Sequence, residues 1–301
     1  MGEIKKISTV HDFNALLGVD DRHPLVSVID FSAYPPRPLF RALLEVYGIY
    51  IREDEPQNVV YGCSKYGLEK GTLIAIAPGQ VGGSEDTGYP VQRKGWALLF
   101  HPDLLRGTAL GIKMKEYTFF SYEVNEALHM QAAERETIVS CLQSIRAELE
   151  HPADRYSQSI IVSYIEVLLN HCMRFYGRQF AMDKVGNKDL LMRFDRLLTD
   201  YFSSGKQYEY GIPSVQEIAE KLAMSANYFS DLVKRATGDT PSEHIRRFLV
   251  GRAKELLADK RKTVGEVAYE LGFNYPQHFS RLFKHVSGMS PKEYVAALNL
   301  K

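Results

Sequence analysis

Between Thr263 and Tyr294 the chain places Tyr275, Gln277, His278, Ser280, Arg281, Lys284 and His285 around Phe279, Leu282, Phe283 and Val286, which recur at helical period. Burying the apolar set turns the polar set outward on one shared face. These side chains match what a DNA duplex offers. Glutamine pairs with adenine edges, arginine with guanine O6 and N7 or with phosphate, and lysine with phosphate. The same residues also make an ordinary solvated helix face, because charged side chains turn outward on any amphipathic helix.

The surrounding residues specify how such a face is held. Val264, Val267, Ala268 and Leu271 form one apolar stripe, and Thr263 with Glu266 starts that helix as a capping box. Gly272 ends it, Phe273 plugs the corner, and Asn274 with Gln277 makes a cap-like pair for the helix that follows. Two short helices joined by a tight break are therefore expected.

The whole arrangement has an internal copy at a spacing of about fifty residues. Val215, Ile218, Ala219 and Leu222 match Val264, Val267, Ala268 and Leu271, and Phe229, Leu232, Lys234, Gly238 and Pro241 match Phe279, Leu282, Lys284, Gly288 and Pro291. The first copy has one residue fewer in its turn. Caps repeat as well: Ser214 with Glu217 answers Thr263 with Glu266, and Thr240 with Glu243 answers Ser290 with Glu293. On the first copy the outward residues are Asn227, Tyr228, Ser230 and Lys234, while Asp231 stands where the second copy has Arg281. A carboxylate there accepts from cytosine N4, pairs with Arg235 or repels phosphate. The second copy is thus expected to carry more base affinity. Between the copies, Pro241 to Ala258 forms one helix of about 27 Å, roughly the spacing of successive major-groove segments on one face of DNA.

The order Arg252, Ala253, Leu256, Leu257, Val267, Ala268, Gly272, Phe273, Phe279, Arg281, Phe283, Lys284, Gly288, Pro291 and Tyr294 resembles the C-terminal signature of the AraC/XylS family of transcriptional regulators. The likeness covers about the last third of the chain. Two residues depart from it. Pro276 sits in the first turn of the second reading helix, where proline is tolerated, and Val295 stands where the family often has arginine, so a phosphate contact is lost. The resemblance implies a DNA-binding regulator with a cupin-like N-terminal domain that holds an effector, a helical dimer contact, and recruitment of RNA polymerase as an activator.

The remaining sequence fits that plan. Of 37 Lys+Arg and 37 Asp+Glu in 301 residues, 17 and 13 lie from Leu190 onward, leaving 20 and 24 before it. The basic excess sits at the end expected to meet phosphate. No apolar run is long enough for a signal peptide or a membrane span, so a cytoplasmic protein is expected. Cys63, Cys141 and Cys172 are scattered, which points to free buried thiols rather than a disulfide framework or zinc site.

Residues before about Met114 read as β structure: Leu25 to Phe31, Tyr47 to Ile51, Val59 to Cys63, Thr72 to Ala77 and Trp96 to His101, separated by Gly, Pro and acidic clusters, suggest a small antiparallel barrel or jelly roll. A catalytic cupin holds its metal with closely spaced histidines and a glutamate. His11, His23 and His101 are isolated, so neither catalysis nor a metal or other cofactor is expected. Tyr47, Tyr61 and Trp96 have the chemistry to line an effector pocket, and equally that of strand core.

From about Asn125 the period turns helical. Ile138, Leu142, Ile145 and Leu149 form one stripe, and Ile161, Ile165, Leu168, Cys172 and Phe175 a broader one beyond Pro152. The broader stripe, with Ile161, Ile165, Leu168 and Phe175, is expected to pack on the same helix of a second copy, although it can also simply cover the barrel.

The expected fold is α+β: residues 1–124 a cupin-like jelly-roll domain followed by two helices in a dimerisation layer at 125–176, 177–189 a polar linker, and 190–301 an all-α domain with two helix-turn-helix units, the first helix marked by Leu191, Phe194, Leu198 and Tyr201. The expected function is an effector-responsive homodimeric activator on double-stranded promoter DNA. Two alternatives remain: a regulator controlled by a protein partner with no small-molecule effector, and a cupin enzyme with an appended DNA-binding domain.

Overall fold

In the computed structural model, residues 4–53, 58–61, 64–67, 71–84, 86, 88–123, 126–182, 184–259 and 261–298 are described, those of 58–61, 64–67 and 184–187 by their backbone alone. The chain divides into two units, Met1–Gln179 and Phe180–Lys301.

The first unit is built on alternating apolar strands. Its elements in order are β1 Ile4–Ile7, α1 Val10–Leu17, β2 Val26–Asp30, β3 Arg41–Leu44, β4 Tyr47–Arg52, β5 Asn58–Tyr61, β6 Ser64–Gly67, β7 Thr72–Ile76, β8 Gln80–Gly83, β9 Gly95–Phe100, α2 Ala109–Lys113, β10 Leu128–His129, α3 Ala132–Glu150 and α4 Ser157–Met182, whose last turn lies past the unit boundary. Five strands form an antiparallel sheet in the order β10-β7-β4-β9-β2, and β1-β3-β8 form a smaller sheet in which β1 runs parallel to β3. The expected strands at Leu25, Tyr47, Thr72 and Trp96 are β2, β4, β7 and β9 of the larger sheet, with β4 at its centre and β2 at its edge. Of the run from Val59 to Cys63, Val59 to Tyr61 fall in β5, while Cys63 lies outside the described residues.

The expectation of β structure alone before Met114 needs correction. Residues Val10–Leu17 form a helix, started by a capping box between Thr9 and Asp12 and ended by Gly18 in the left-handed region. Val10, Phe13 and Leu17 insert among Ile7, Ile29, Leu44, Val46 and Ile76 and complete the core. This helix also carries a polar chain that runs from the interior to the surface: buried Ser27 Oγ donates to buried Asn14 Oδ1 at 2.9 Å, Asn14 Nδ2 donates to Asp21 Oδ1 at 2.8 Å, and exposed Asp21 pairs with exposed His11. The histidines have local structural partners. His23 and His101 each accept, through Nδ1, a backbone N–H two residues on. Among the described residues no three His, Cys, Asp or Glu side chains converge as metal ligands would, and no helix is long and apolar enough to cross a membrane.

Ile161, Ile165, Leu168 and Phe175 on α4 are all buried, as is Cys172. Those residues were expected to meet a second copy, but they are covered within their own chain. The aromatic segment between α2 and β10 supplies neighbours, with Phe119 and Tyr122 against Tyr176. Of the large apolar side chains that α4 exposes, Ile160, Tyr164 and Val167 lie together on another face, and Met182 stands at the helix end. At its C-terminal end, Arg178 is bidentate to Glu134 at 2.8 Å and also donates to the carbonyl of His129, while Gln179 Oε1 accepts the backbone N–H of His129. The described residues of 177–189 are helical rather than an irregular linker, and the unit boundary falls among them.

The second unit is all helix: α5 Lys184–Ser203, α6 Gln207–Tyr210, α7 Val215–Lys221, α8 Ala226–Thr237, α9 Pro241–Leu257, α10 Val264–Glu270, α11 Pro276–Ser287 and α12 Pro291–Leu298. The repeat is structural. α7 and α10 have 7 residues each, α8 and α11 have 12 each, and Gly238 and Gly288 close them at φ 83° and 82°. Capping boxes form at Ser214, Thr240 and Thr263, and Ser290 exchanges hydrogen bonds with Glu293 in the same way.

The turns between α7 and α8 and between α10 and α11 both pass through the left-handed region, but with different residues. Ala223 is there at φ 57° and Gly272 at φ 83°. A β-carbon on Gly272 would stand 3.1 Å from Gln207 Cβ, from the Gln207 carbonyl oxygen and from the Gly211 backbone, whereas Ala223 is exposed. Glycine is required at the second turn by both conformation and space. Gly272→Ala is therefore expected to destabilise by about 2 kcal/mol or more, since the left-handed conformation alone costs roughly 1–2 kcal/mol. Ala223→Gly should change stability by less than about 1 kcal/mol, relief of strain offsetting added freedom in the unfolded chain. Urea unfolding midpoints at constant slope measure both.

Candidate nucleic-acid interface

Each reading helix takes its rotation from one buried ring. Phe229 on α8 and Phe279 on α11 are almost wholly enclosed, Phe229 edge-on to Phe194 at 5.1 Å and Phe279 packed on Phe273 and Phe283. With about 100° between successive residues, the enclosed ring dictates which side chains face solvent. On α11 these are Gln277, His278, Arg281, Lys284 and His285, with Tyr275 exposed just before the helix and Ser280 half-buried. On α8, Asn227, Lys234 and Arg235 are exposed and Tyr228, Ser230 and Asp231 half-buried. The structure thus brings the expected set of each copy onto one outward face.

Their chemistry differs. Arg281 makes no hydrogen bond or ion pair among the described residues, which leaves its donors available to a base edge or phosphate, while Asp231 holds the equivalent position on α8 with an acceptor. Lys234 and Arg235 lie in the last turn of α8, and Lys284 and His285 in that of α11, where positive charge also suits the helix dipole. Ser280 Oγ is turned back to the Pro276 carbonyl at 3.0 Å, a bond it must give up or share to touch DNA.

The helix starts differ too. Ser225 caps α8 by accepting from the Tyr228 N–H, whereas α11 begins with Pro276 at its first position after Tyr275, with no side-chain cap. The cap-like pairing expected of Asn274 with Gln277 does not form, because proline already presets the first turn. Tyr275 instead lays its ring against His278, 5.5 Å between centroids at 64°. On α8 the ring against the matching residue, Tyr228, is that of Phe180, 5.0 Å away at 68°, and the Arg235 guanidinium lies over the same ring at 5.6 Å. Phe180 is a residue the sequence reading did not select. The pointer to it was the shorter first turn, which has no aromatic residue at the place of Tyr275.

Helix α9, which joins the two helix-turn-helix copies, spans about 26 Å at 1.5 Å per residue and packs through Ile245, Leu249, Val250, Ala253 and Leu257. Its first turn is held by Arg247 on Asp239, and by His244, stacked on Phe194 and 2.6 Å from Asp195. Before α7, Gln207 Nε2 donates to the Glu270 carbonyl, so α6 buttresses the second turn.

In the first unit, Tyr47 lines an open cleft of about 400 Å³ with Leu105, Arg106, Thr108, Ile112 and Met114. Trp96 stands on β9, opposite Asp30 and Ile51, and is not among that lining. The side chain of Tyr61 lies outside the described residues.

Residues 218–297 match the family described as a helix-turn-helix domain. Over 160 residues the chain is 27% identical to the HTH-type transcriptional activator RhaS of Citrobacter koseri, covering 51% of this chain and 54% of that protein. Over 81 residues it is 31% identical to the HTH-type transcriptional regulator YisR of Bacillus subtilis, covering 27% and 28%. The chain thus matches about half the length of the RhaS relatives or less. Among solved structures, the C-terminal domain of AraT from Geobacillus stearothermophilus is 25% identical with a TM-score of 0.32, covering 36% of this chain and 84% of that one. ToxT from Vibrio cholerae O395 is 12% identical with a TM-score of 0.31, covering 91% and 96%.

The contrast at the central contact position sets an expected outcome. Arg281→Ala should weaken binding to the preferred DNA site by about 1–3 kcal/mol and relax the base preference beneath it. Asp231→Ala should leave affinity unchanged or raise it. Fluorescence anisotropy titrations at one fixed salt concentration measure both, and a loss below about 1 kcal/mol for Arg281→Ala removes the base contact from that residue.

Proposed function

Because this chain belongs, through its C-terminal unit, to the AraC/XylS family of transcriptional regulators, we propose that it acts as a sequence-specific regulator on double-stranded promoter DNA. The observation that carries the reading is the matched pair of reading helices, α8 and α11, each presenting its polar set outward from a buried phenylalanine and joined by one helix of groove-spacing length. The basic excess from Leu190 onward supports it. We assign Asn227, Tyr228, Ser230 and Lys234 of the first reading helix, and Tyr275, Gln277, His278, Ser280, Arg281 and Lys284 of the second, to DNA contacts. The curated relatives named RhaS are activators, and we assign this chain the same sign, acting by contact with RNA polymerase.

The N-terminal unit, a cupin-like jelly roll in this reading, holds a small amphipathic effector in the cleft at Tyr47, whose aromatic and aliphatic lining with Arg106 suits an apolar body and an anionic end. The effector shifts the balance between DNA-competent and incompetent states by binding one of them better. The unit is read as non-catalytic; metal at one equivalent in the purified protein would reopen that. Two copies associate through the exposed stripe Ile160, Tyr164 and Val167 of α4, since the buried stripe is already covered.

Selection from a random-sequence DNA pool tests the function directly. A recovered motif made of paired half-sites is expected, and Val167→Asp should reduce selection to single half-sites. Failure of the wild-type chain to enrich any motif at low salt would remove the DNA-binding reading. For the effector, a metabolite at a hundred times its dissociation constant should stabilise the native chain by about 2.7 kcal/mol, and Tyr47→Ala should abolish the thermal shift. A library with no stabilising member favours control by a protein partner.

A further inference from the structure

The two reading helices receive the same aromatic support from different sources. In the second copy it comes from within the turn, where Tyr275 stands edge-on to His278. The first copy is one residue shorter there, running Met224, Ser225, Ala226 into α8. Its ring comes from Phe180, nearly enclosed and edge-on to Tyr228 in the same manner. By the register that pairs Phe229 with Phe279, Tyr228 and His278 are equivalent positions.

We propose that Phe180 is a positioning residue for DNA binding by the first helix-turn-helix unit, fixing Tyr228 and Arg235 as Tyr275 fixes His278 in the second. Helical geometry divides the outward face of α8 into two flanks. Tyr228, Asp231 and Arg235 recur at i, i+3 and i+7 on one, and Asn227, Ser230 and Lys234 do so on the other. Phe180 borders the first flank, at Tyr228 and Arg235. The Arg235 guanidinium lies over the ring at 5.6 Å from its centroid, a cation–π contact that restricts the side chain, so its charge is presented to phosphate already ordered. Nothing about the contact requires it to be a removable cover, because its counterpart, Tyr275, is part of the second turn and cannot leave.

This inference rests on the DNA-binding reading above, and the test separates the two. With the full chain and the selected operator, Phe180→Ala and Phe180→Leu are titrated, the second keeping apolar volume and therefore the fold while losing the edge-to-face pair. Both are expected to weaken binding about threefold to tenfold, the range an aromatic pair supports. The loss should be confined to the half of the footprint contacted by the first unit and vanish when that half is scrambled. Phe180→Tyr should retain wild-type binding, and Tyr275→Ala should show its loss over the other half. If wild-type chain binds its operator and Phe180→Leu matches it in affinity and footprint, the positioning role is overturned. Tighter binding by Phe180→Leu overturns it too, since the ring would then be a cover. If wild-type chain selects no operator, the failure belongs to the DNA-binding reading instead.

Discussion

Enclosure of Phe229 and Phe279 is the constraint on which the C-terminal unit depends. Phe229 is set against Phe194 and Phe279 against Phe273, each a ring from outside its own helix, and with Leu232 and Val233 buried on α8 and Phe283 on α11 the rotation of each helix is fixed. The identity of the outward residues then follows from 3.6-residue periodicity alone. The capping boxes at Ser214 and Thr263 and the glycine ends at Gly238 and Gly288 fix how far each keyed helix pair extends. Reading chemistry is thus written on positions that take no part in the fold, which lets Asp231 and Arg281 differ in charge while their helices stay alike.

The two copies obey one set of local rules and diverge where their surroundings differ. Gly272 faces Gln207 and Gly211 and has no room for a side chain; Ala223 faces solvent and accepts the strain of a left-handed alanine. Ser225 caps α8 where Pro276 presets α11. These are alternative solutions to the same requirement, a sharp turn followed by a helix start with its first N–H groups satisfied or absent.

Much of this was legible in the residues, and what was not has a common cause. The capping boxes, the repeat, the break at Pro152 and the strands β2, β4, β7 and β9 rest on patterns local to a few residues, and local patterns survive without knowledge of tertiary neighbours. Helix α1 escaped notice because eight residues show barely two turns of period, although Thr9 and Asp12 carried a capping signal. The short strands β1, β3 and β8 are defined by partners distant in sequence. The stripe of Ile161, Ile165, Leu168 and Phe175 was legible as apolar but not as already covered, since periodicity reports that a face is buried and not by what. Trp96 stayed open to both readings for the same reason, an aromatic strand residue being equally suited to core and cleft. Phe180 meets Tyr228 only in the folded chain, so no local pattern could join them.

The position of Phe180 bears on where the DNA-binding unit can be cut from the chain. A boundary drawn by composition falls at residue 190, and the match to the helix-turn-helix family begins later still, at 218. A fragment begun at 218 would lose Gln207, which buttresses the turn before α11, and Phe194, which lies against Phe229; one begun at 190 would keep both and carry α10 and α11 with that support, but α8 without the ring that lies against Tyr228. Such a fragment would be an asymmetric piece of the molecule, complete in one reading unit and missing a part in the other. An isolated C-terminal fragment with its original architecture must begin early enough to include the end of α4.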